Sequence, residues 1–109
     1  MNTLFMVRSN ATPGQEDAYN QWYNNVHLAE VLSIEGFHSA QRFALHPTQV
    51  QADQPHAYLA LYEIDTDAVE ATLARLGEAT WLNMSDAIDP ESIQISLFAA
   101  VTEKRLAQN

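Results

Sequence analysis

The chain has 109 residues, no cysteine, and 14 acidic residues against five basic ones, which gives a formal charge of −9. This excess of negative charge repels phosphate backbones and anionic membranes, so we expect neither nucleic acid nor a membrane as a partner. The lack of cysteine excludes disulfides and thiolate chemistry. A hydrophobic content of 47% over this length predicts one domain, residues 1–109, with a modest core.

The start of the chain, Met1 to Val7, has no basic region, no long apolar core and no small-residue cleavage site. No apolar run in the sequence approaches the roughly 20 residues that a membrane-spanning helix needs. We therefore expect a cytoplasmic protein.

A strand and a helix are predicted first along the chain. Residues 3–9 form a short, mostly apolar run, which predicts the first strand. A helix is predicted to follow, with Thr12 as its N-cap, Pro13 at its first position and Gln15 completing a capping box. Its periodic pattern runs to about Ser33.

Two more strands are predicted over residues 37–45 and 57–64, with a polar connection at residues 46–55 between them. The connection contains two prolines and three glutamines, so we expect it to be exposed. In the first of these strands, strict alternation places on one face Phe37, Ser39, Gln41, Phe43 and Leu45. In the second, it places on one face Tyr58, Ala60, Tyr62 and Ile64.

A second helix and a last strand complete the predicted elements. Asp65-Thr66-Asp67 offers N-cap candidates for an amphipathic helix that Gly77 ends. Residues 78–89 show no clear period, and alternation over residues 92–102 predicts the last strand. The apolar stripe of the helix is predicted to contain Val69, Thr72, Leu73 and Leu76.

The order strand, helix, strand, strand, helix, strand predicts an α+β fold, the ferredoxin-like βαββαβ sandwich. In this fold two helices cover one face of an antiparallel four-stranded sheet. Because the predicted strands carry apolar residues on both faces, the second face also requires burial. We therefore expect a homodimer in which two open sheet faces meet.

A group of chemically useful side chains lies on the first helix. Trp22, Tyr23, His27 and Glu30 fall within about two and a half turns of it. At roughly 100° per residue, Trp22 lies on the apolar side, Tyr23 and Glu30 lie beside it, and His27 lies at its border. This pattern indicates a pocket beneath the helix. The alternative is a hydrogen-bonded border histidine that pairs with Glu30 at the surface.

The chain resembles the dimeric α/β-barrel superfamily, and within it the EthD-like and related uncharacterised members. The element order agrees over nearly the whole chain, and the motif lies within residues 22–43. Relatives often have Pro where Ala29 stands here. The motif consists of Trp22-Tyr23, His27-Leu28, Glu30, Gly36-Phe37, Ser39, Ala40, Arg42 and Phe43.

The resemblance implies a pocket between the helices and the sheet that binds small, often aromatic or polyketide-like molecules. Members of the superfamily include cofactor-free monooxygenases, cyclases, lactone isomerases and haem-degrading enzymes, so the fold does not select a reaction. His27, which matches the motif histidine, is the candidate general acid or base. Tyr23 can donate a phenolic proton, and Glu30 can orient or charge-stabilise the imidazole.

Further side chains are candidates for contact with a substrate. For Arg42 two interpretations stay open: a carboxylate partner such as Glu30, or an anionic ligand. The Trp22 ring can form the floor of the pocket and stack against an aromatic substrate. Packing is the competing role for each of the aromatic side chains. The candidate substrate-binding residues are Trp22, Arg42, Tyr58, Tyr62, Trp81 and Asn83.

No cofactor is expected from the residues present. The glycines are isolated, so no glycine-rich loop can bind a nucleotide. The acidic chain has few cations to receive haem propionates. No His-x-x-x-His pair occurs, so we expect no metal. The four histidines are His27, His38, His46 and His56.

The sequence therefore favours a cofactor-independent enzyme that acts on a hydrophobic, aromatic or lactone-like metabolite. Proton transfer of the isomerase, cyclase or lyase type would suit His27. Two alternatives are a cofactor-free monooxygenase of an activated aromatic and a non-catalytic dimeric protein that only binds its ligand.

Overall fold

The computed structural model describes residues 2–108 and contains a four-stranded antiparallel sheet with helices on one face. The spatial order of the strands is β2-β3-β1-β4. This order, together with the helix that follows β1 and the helix that follows β3, confirms the ferredoxin-like fold predicted from the sequence. The strands are β1 (Asn2–Ser9), β2 (Phe37–Ala44), β3 (Tyr58–Asp65) and β4 (Gln94–Ala99).

The first helix consists of three consecutive segments. They are α1 (Glu16–Trp22), a π-helical turn (Tyr23–His27) and α2 (Leu28–Leu32). The second helix, α3 (Val69–Gly77), follows a 3-10 turn at Thr66–Ala68. No helix within residues 2–108 is long and apolar enough to cross a membrane.

The predicted capping box at the start of the first helix is wrong. The helix begins at Glu16, and Gln15 occupies the N-cap without a side-chain hydrogen bond. The carbonyl of Thr12 accepts the Gln15 N–H at 2.9 Å, and the Thr12 hydroxyl donates to the Asp86 carbonyl at 2.7 Å. Thr12 therefore joins the turn to the segment before β4 instead of capping the helix.

The helix-facing side of the sheet forms the core. The alternation predicted for β3 is confirmed, because Ala60, Tyr62 and Ile64 are buried beneath the helices. The face predicted for Phe37 is wrong, because a β-bulge shifts the register of β2 between Phe37 and Ser39. The bulge turns Phe37 into the core, while the residues after it keep the predicted alternation.

Thr72, the one polar member of the α3 stripe, is buried where the helix approaches the start of β2. Its hydroxyl donates to the Ala68 carbonyl at 2.8 Å, so no hydrogen-bonding group is left unpaired there. Gly36 has a φ of +111°, and a Cβ at this position would lie 1.9 Å from Thr72 Oγ1. A small side chain on α3 and a glycine opposite it allow this close approach.

The opposite side of the sheet, here called the open sheet face, has no cover in the described part of the chain. Strand pairing and alternation place several apolar side chains on it, and Phe98 is 60% exposed. A homodimer through this face remains a prediction. Its apolar members are Leu4, Met6, Phe43, Leu59, Leu61 and Phe98.

Candidate functional site

The π-helical turn brings Trp22 and His27 into contact. Their rings stack with centroids 4.5 Å apart and an interplanar angle of 24°. In a regular α-helix, residues five apart point about 140° away from each other, whereas a π-helical turn closes after five residues. The Tyr23 ring lies 5.2 Å from the His27 ring and 5.1 Å from the Trp22 ring. These three side chains are called the aromatic cluster below.

A cavity of about 290 Å³ lies between the aromatic cluster and the sheet. Its polar lining side chains are His27, Tyr23 and Tyr62. An apolar cavity of about 150 Å³ is large enough to bind benzene, so this one can hold a ligand of one or two rings. Its apolar walls include Phe5, Val31, Leu76, Leu82, Met84 and Ile95.

A larger depression of about 390 Å³ lies beside the connection between β2 and β3. It is lined in part by Tyr58 and by none of the predicted catalytic side chains. A site for acid-base chemistry is therefore better placed in the smaller cavity, where an imidazole and two phenols converge.

The polar groups of the cavity are uncharged near neutral pH. Burial lowers the pKa of His27 below its ordinary value, and the charge of Glu30 opposes this only in part. Burial, with Tyr19 nearby, raises the pKa of Tyr23 to about 12. Burial also raises the pKa of Tyr62, and the neighbouring Tyr23 adds to the rise. The cavity therefore offers a neutral imidazole and two protonated phenols.

One polar atom beside the cavity, His27 Nδ1, is buried and forms no hydrogen bond within residues 2–108. An unpaired buried polar group costs about 1–3 kcal/mol, so such a group usually has a hydrogen-bond partner in the protein, in an ordered water or in a ligand. A ligand with a polar atom is one such partner.

Both carboxylate oxygens of Glu30, whose pairing with His27 the sequence left open, accept hydrogen bonds from Asn83. Glu30 Oε1 accepts the Asn83 backbone N–H at 2.9 Å, and Oε2 accepts the Asn83 side-chain amide at 2.7 Å. The Trp22 indole N–H donates to the Asn83 carbonyl oxygen at 2.6 Å. We call these three hydrogen bonds the Asn83 clasp.

The clasp fixes residues 78–89, the covering segment, against the first helix. Leu82 and Met84 of this segment line the cavity on either side of Asn83. The Asn83 side-chain amide, a candidate for substrate binding, donates a hydrogen bond to Glu30 and does not line the cavity. Trp81, also predicted to bind substrate, is 52% exposed and does not line the cavity.

Arg42 lies outside the cavity, and the carboxylate partner considered for it from the sequence is not found in residues 2–108. It forms no ion pair there, with Glu30 or with any other carboxylate. Its terminal nitrogens donate to Asn24 Oδ1 at 2.8 Å and to Asn20 Oδ1 at 2.9 Å. Its guanidinium carbon lies 4.5 Å from the centroid of the Tyr23 ring.

Tyr58 belongs to the surroundings of Arg42 and not to the cavity. Its ring centroid lies 5.2 Å from the Arg42 guanidinium carbon. Its hydroxyl donates to Glu16 and accepts a hydrogen bond from the Asn20 amide at 3.2 Å. Of the predicted substrate contacts, only Trp22 and Tyr62 line the cavity.

Sequence patterns missed most of the apolar cavity wall. Leu82, Met84 and Ile88 come from the stretch without a clear period, and the strands β1 and β4 add more. The available signal was the concentration of large apolar residues at positions 81–84, in a stretch that formed no amphipathic element. Within residues 2–108, no group of three or more His, Cys, Asp or Glu side chains is placed to hold a metal ion.

Several solved structures are similar to this chain over nearly its whole length. An ethyl tert-butyl ether D (EthD) family protein from Bacillus halodurans is 12% identical with a TM-score of 0.62, and the match covers 93% of this chain and 100% of that one. A variant of SnoaB, a cofactor-independent oxygenase from Streptomyces nogalater, is 16% identical with a TM-score of 0.52, covering 93% and 94%. HapK from Hahella chejuensis is 20% identical with a TM-score of 0.56, covering 99% and 100%. The chain therefore shares its ferredoxin-like fold with these proteins.

The resemblance inferred from the sequence is thus confirmed for the fold. No protein-family model and no curated protein sequence matches the chain. Sequence identities between 12% and 20% are too low to assign the activity of one protein to another with the same fold. The chemistry has to be argued from the side chains of the cavity.

Proposed function

We propose that this α/β-barrel chain is a cofactor-independent enzyme in which His27 accepts a proton from a small hydrophobic substrate. One observation carries the proposal: a half-buried imidazole with a lowered pKa borders an apolar cavity whose other polar groups are protonated phenols. A neutral imidazole is the protonation state that a general base requires.

The reaction type that fits is proton transfer next to a carbonyl or lactone group. His27 takes the proton from carbon, and a phenol of Tyr23 or Tyr62 donates a hydrogen bond to the developing enolate oxygen. Return of the proton to another atom gives isomerisation, and loss of a leaving group gives a lyase reaction. The base contributes on the order of 10²–10⁴ to the rate.

A cofactor-free monooxygenase is the second candidate, because SnoaB, described as a cofactor-independent oxygenase, shares the fold over 94% of its length. The first step would be the same, since His27 would deprotonate an activated aromatic held against Trp22. The resulting carbanion would pass its electrons directly to dioxygen. Consumption of oxygen distinguishes this candidate from isomerisation or elimination.

The third candidate is a protein that binds the same ligand without turnover. In each case we propose a homodimer through the open sheet face, a single domain over residues 1–109 and a cytoplasmic location. The exposed apolar side chains on that face, which a second copy of the chain would bury, support the dimer.

The experiment that tests the proposal is a turnover screen of ketones, lactones and phenols, with His27→Gln as the variant. We expect the variant to lose at least a hundredfold in turnover while it keeps most of its ligand affinity. The matched control is His56→Gln, which removes a histidine outside the cavity. An oxygen electrode during the same assay separates the two enzymatic candidates.

Two results would count against His27 as the base. Turnover that survives His27→Gln unchanged would contradict the mechanism. Binding without turnover across the screen, changed only in affinity by His27→Gln, would favour the non-catalytic candidate.

A further inference from the structure

The guanidinium of Arg42 is held by three tyrosine rings and two asparagine amides in the half-buried space between β2 and the first helix. The rings lie 4.5, 5.2 and 5.2 Å from the guanidinium carbon, measured to their centroids. The two terminal nitrogens donate to the amides. These contacts use the planar face and the fork of the group at once, which lysine cannot reproduce.

The positive charge of Arg42 has no carboxylate partner in the described part of the chain. The titratable groups packed around it are Tyr19 and Tyr23 from the first helix and Tyr58 from β3. Glu16 reaches this group but is engaged by the Tyr58 hydroxyl and forms no ion pair with Arg42. A partly buried charge without a counter-ion is costly, and a chain with 14 acidic residues could have supplied one.

Tyr23 connects this charge to the cavity. Its ring packs against the guanidinium and also lines the cavity beside His27. Burial raises the pKa of Tyr23 and of Tyr62, and Arg42 opposes the rise at both. The field of Arg42 therefore extends to two of the three polar side chains of an otherwise apolar cavity.

We propose that Arg42 is a positioning residue that makes the cavity favour weakly acidic ligands, such as phenols and enolisable ketones, bound as their anions. It holds the Tyr23 ring by stacking and provides the positive charge that the cavity walls lack. This inference rests on the proposed function, in which His27 accepts the proton that such a ligand releases.

The test is a pH titration of bound para-nitrophenol, whose anion absorbs visible light and whose single ring fits the cavity. The full chain is compared with Arg42→Met and Arg42→Lys at saturating protein. In Arg42→Met we expect the midpoint for ionisation of the bound phenol to lie about one pH unit higher, a tenfold loss of preference for the anion. Arg42→Lys keeps the charge and should recover most of the shift. The matched control is Arg75→Met, which removes an exposed arginine on α3.

An unchanged midpoint in Arg42→Met would overturn the inference, because a residue that only packs would not alter ionisation of the ligand. Failure of the wild-type protein to bind para-nitrophenol would overturn it as well. If Arg42→Met does not fold, the affinities of the wild-type protein for two ligands are compared instead. Its affinity for the para-nitrophenolate anion should exceed that for para-nitrotoluene at least tenfold. Equal affinities would overturn the inference.

The same titration with His27→Gln separates this inference from the proposed function. A midpoint that responds to Arg42→Met and not to His27→Gln would support Arg42 and contradict His27 as proton acceptor. The reverse pattern would support His27 and overturn the role of Arg42.

Discussion

The Asn83 clasp predicts a specific pattern of stability and binding when its members are removed. Asn83→Ala deletes the side-chain bond to Glu30 and leaves both backbone bonds in place. Glu30→Ala deletes the bonds to the side chain and to the backbone N–H. The double variant loses nothing that Glu30→Ala has not already lost, so the two effects should not add.

The magnitudes follow from the number and exposure of these hydrogen bonds. A hydrogen bond to a carboxylate contributes about 1.5–3 kcal/mol when buried, and solvent reduces this for groups at the surface. We therefore expect Asn83→Ala to lower the free energy of unfolding by about 1 kcal/mol and Glu30→Ala by about 1.5–2 kcal/mol. The coupling energy of the pair should be about 1 kcal/mol.

Urea unfolding followed by circular dichroism measures these free energies. Glu35→Ala is the matched control, because the Glu35 carboxylate is largely exposed and lies 3.6 Å from Arg75 in a surface ion pair. We expect it to cost less than about 0.5 kcal/mol. The dissociation rate of a cavity ligand should rise in Glu30→Ala and not in the control, because Leu82 and Met84 lose their anchor. Additive losses in the double variant, or a Glu30→Ala effect no larger than the control, would refute the clasp.

Three further predictions concern His27, the approach of α3 and the open sheet face. Folding lowers the pKa of His27, so as the pH falls below about 6.5 the unfolded chain binds a proton at His27 before the folded chain does. The free energy of unfolding should therefore decrease as the pH falls from there towards the pKa of His27 in the folded chain. Urea unfolding of His27→Gln at the same pH values should not show this decrease. Gly36→Ala should cost about 3 kcal/mol or more in urea unfolding, and Thr72→Ala should recover only part of the loss, because the Thr72 Cβ would still lie 2.8 Å from the new methyl group. Sedimentation at micromolar concentration should give twice the mass of the 12.2 kDa chain, and a stable monomer would contradict the homodimer.

The element order and most strand faces could be predicted because they depend on local periodicity. Tyr62 and Ile64 are two residues apart in β3, and successive side chains of any strand point to opposite faces of the sheet, so both lie on the same face. The same reasoning was wrong for Phe37, because the extra residue in the β-bulge places the Phe37 side chain on the opposite face of the sheet from the one predicted. The alternation of side chains along a strand does not indicate where a bulge will occur, so the face of Phe37 could not be predicted from it.

The partners of the polar site residues could not be predicted, because they come from distant parts of the chain. Glu30 and His27 are one turn apart, which favours a local pair, yet Glu30 binds a residue 53 positions further on. A free backbone N–H and an amide on an irregular segment compete better for the carboxylate than a neutral, half-buried imidazole does. Arg42 likewise donates hydrogen bonds to asparagine amides and packs against tyrosine rings, and it forms no ion pair with a carboxylate in the described part of the chain.

The π-helical turn provides support for the site that does not depend on any pKa. In a regular α-helix Trp22 and His27 would point about 140° away from each other, whereas across the π-helical turn their rings stack. Such turns interrupt the regular hydrogen bonding of a helix and are frequent at functional sites. A helix that served only to cover the sheet would not need this irregularity, because Tyr19, Tyr23 and Val31 already bury its inner face. The same turn places the indole N–H of Trp22 on Asn83, so the stacking of His27 and the position of the covering segment are set together. The local departure from α-helical geometry therefore explains how one helix can contribute both the proposed base, His27, and the contacts that hold the covering segment over the cavity.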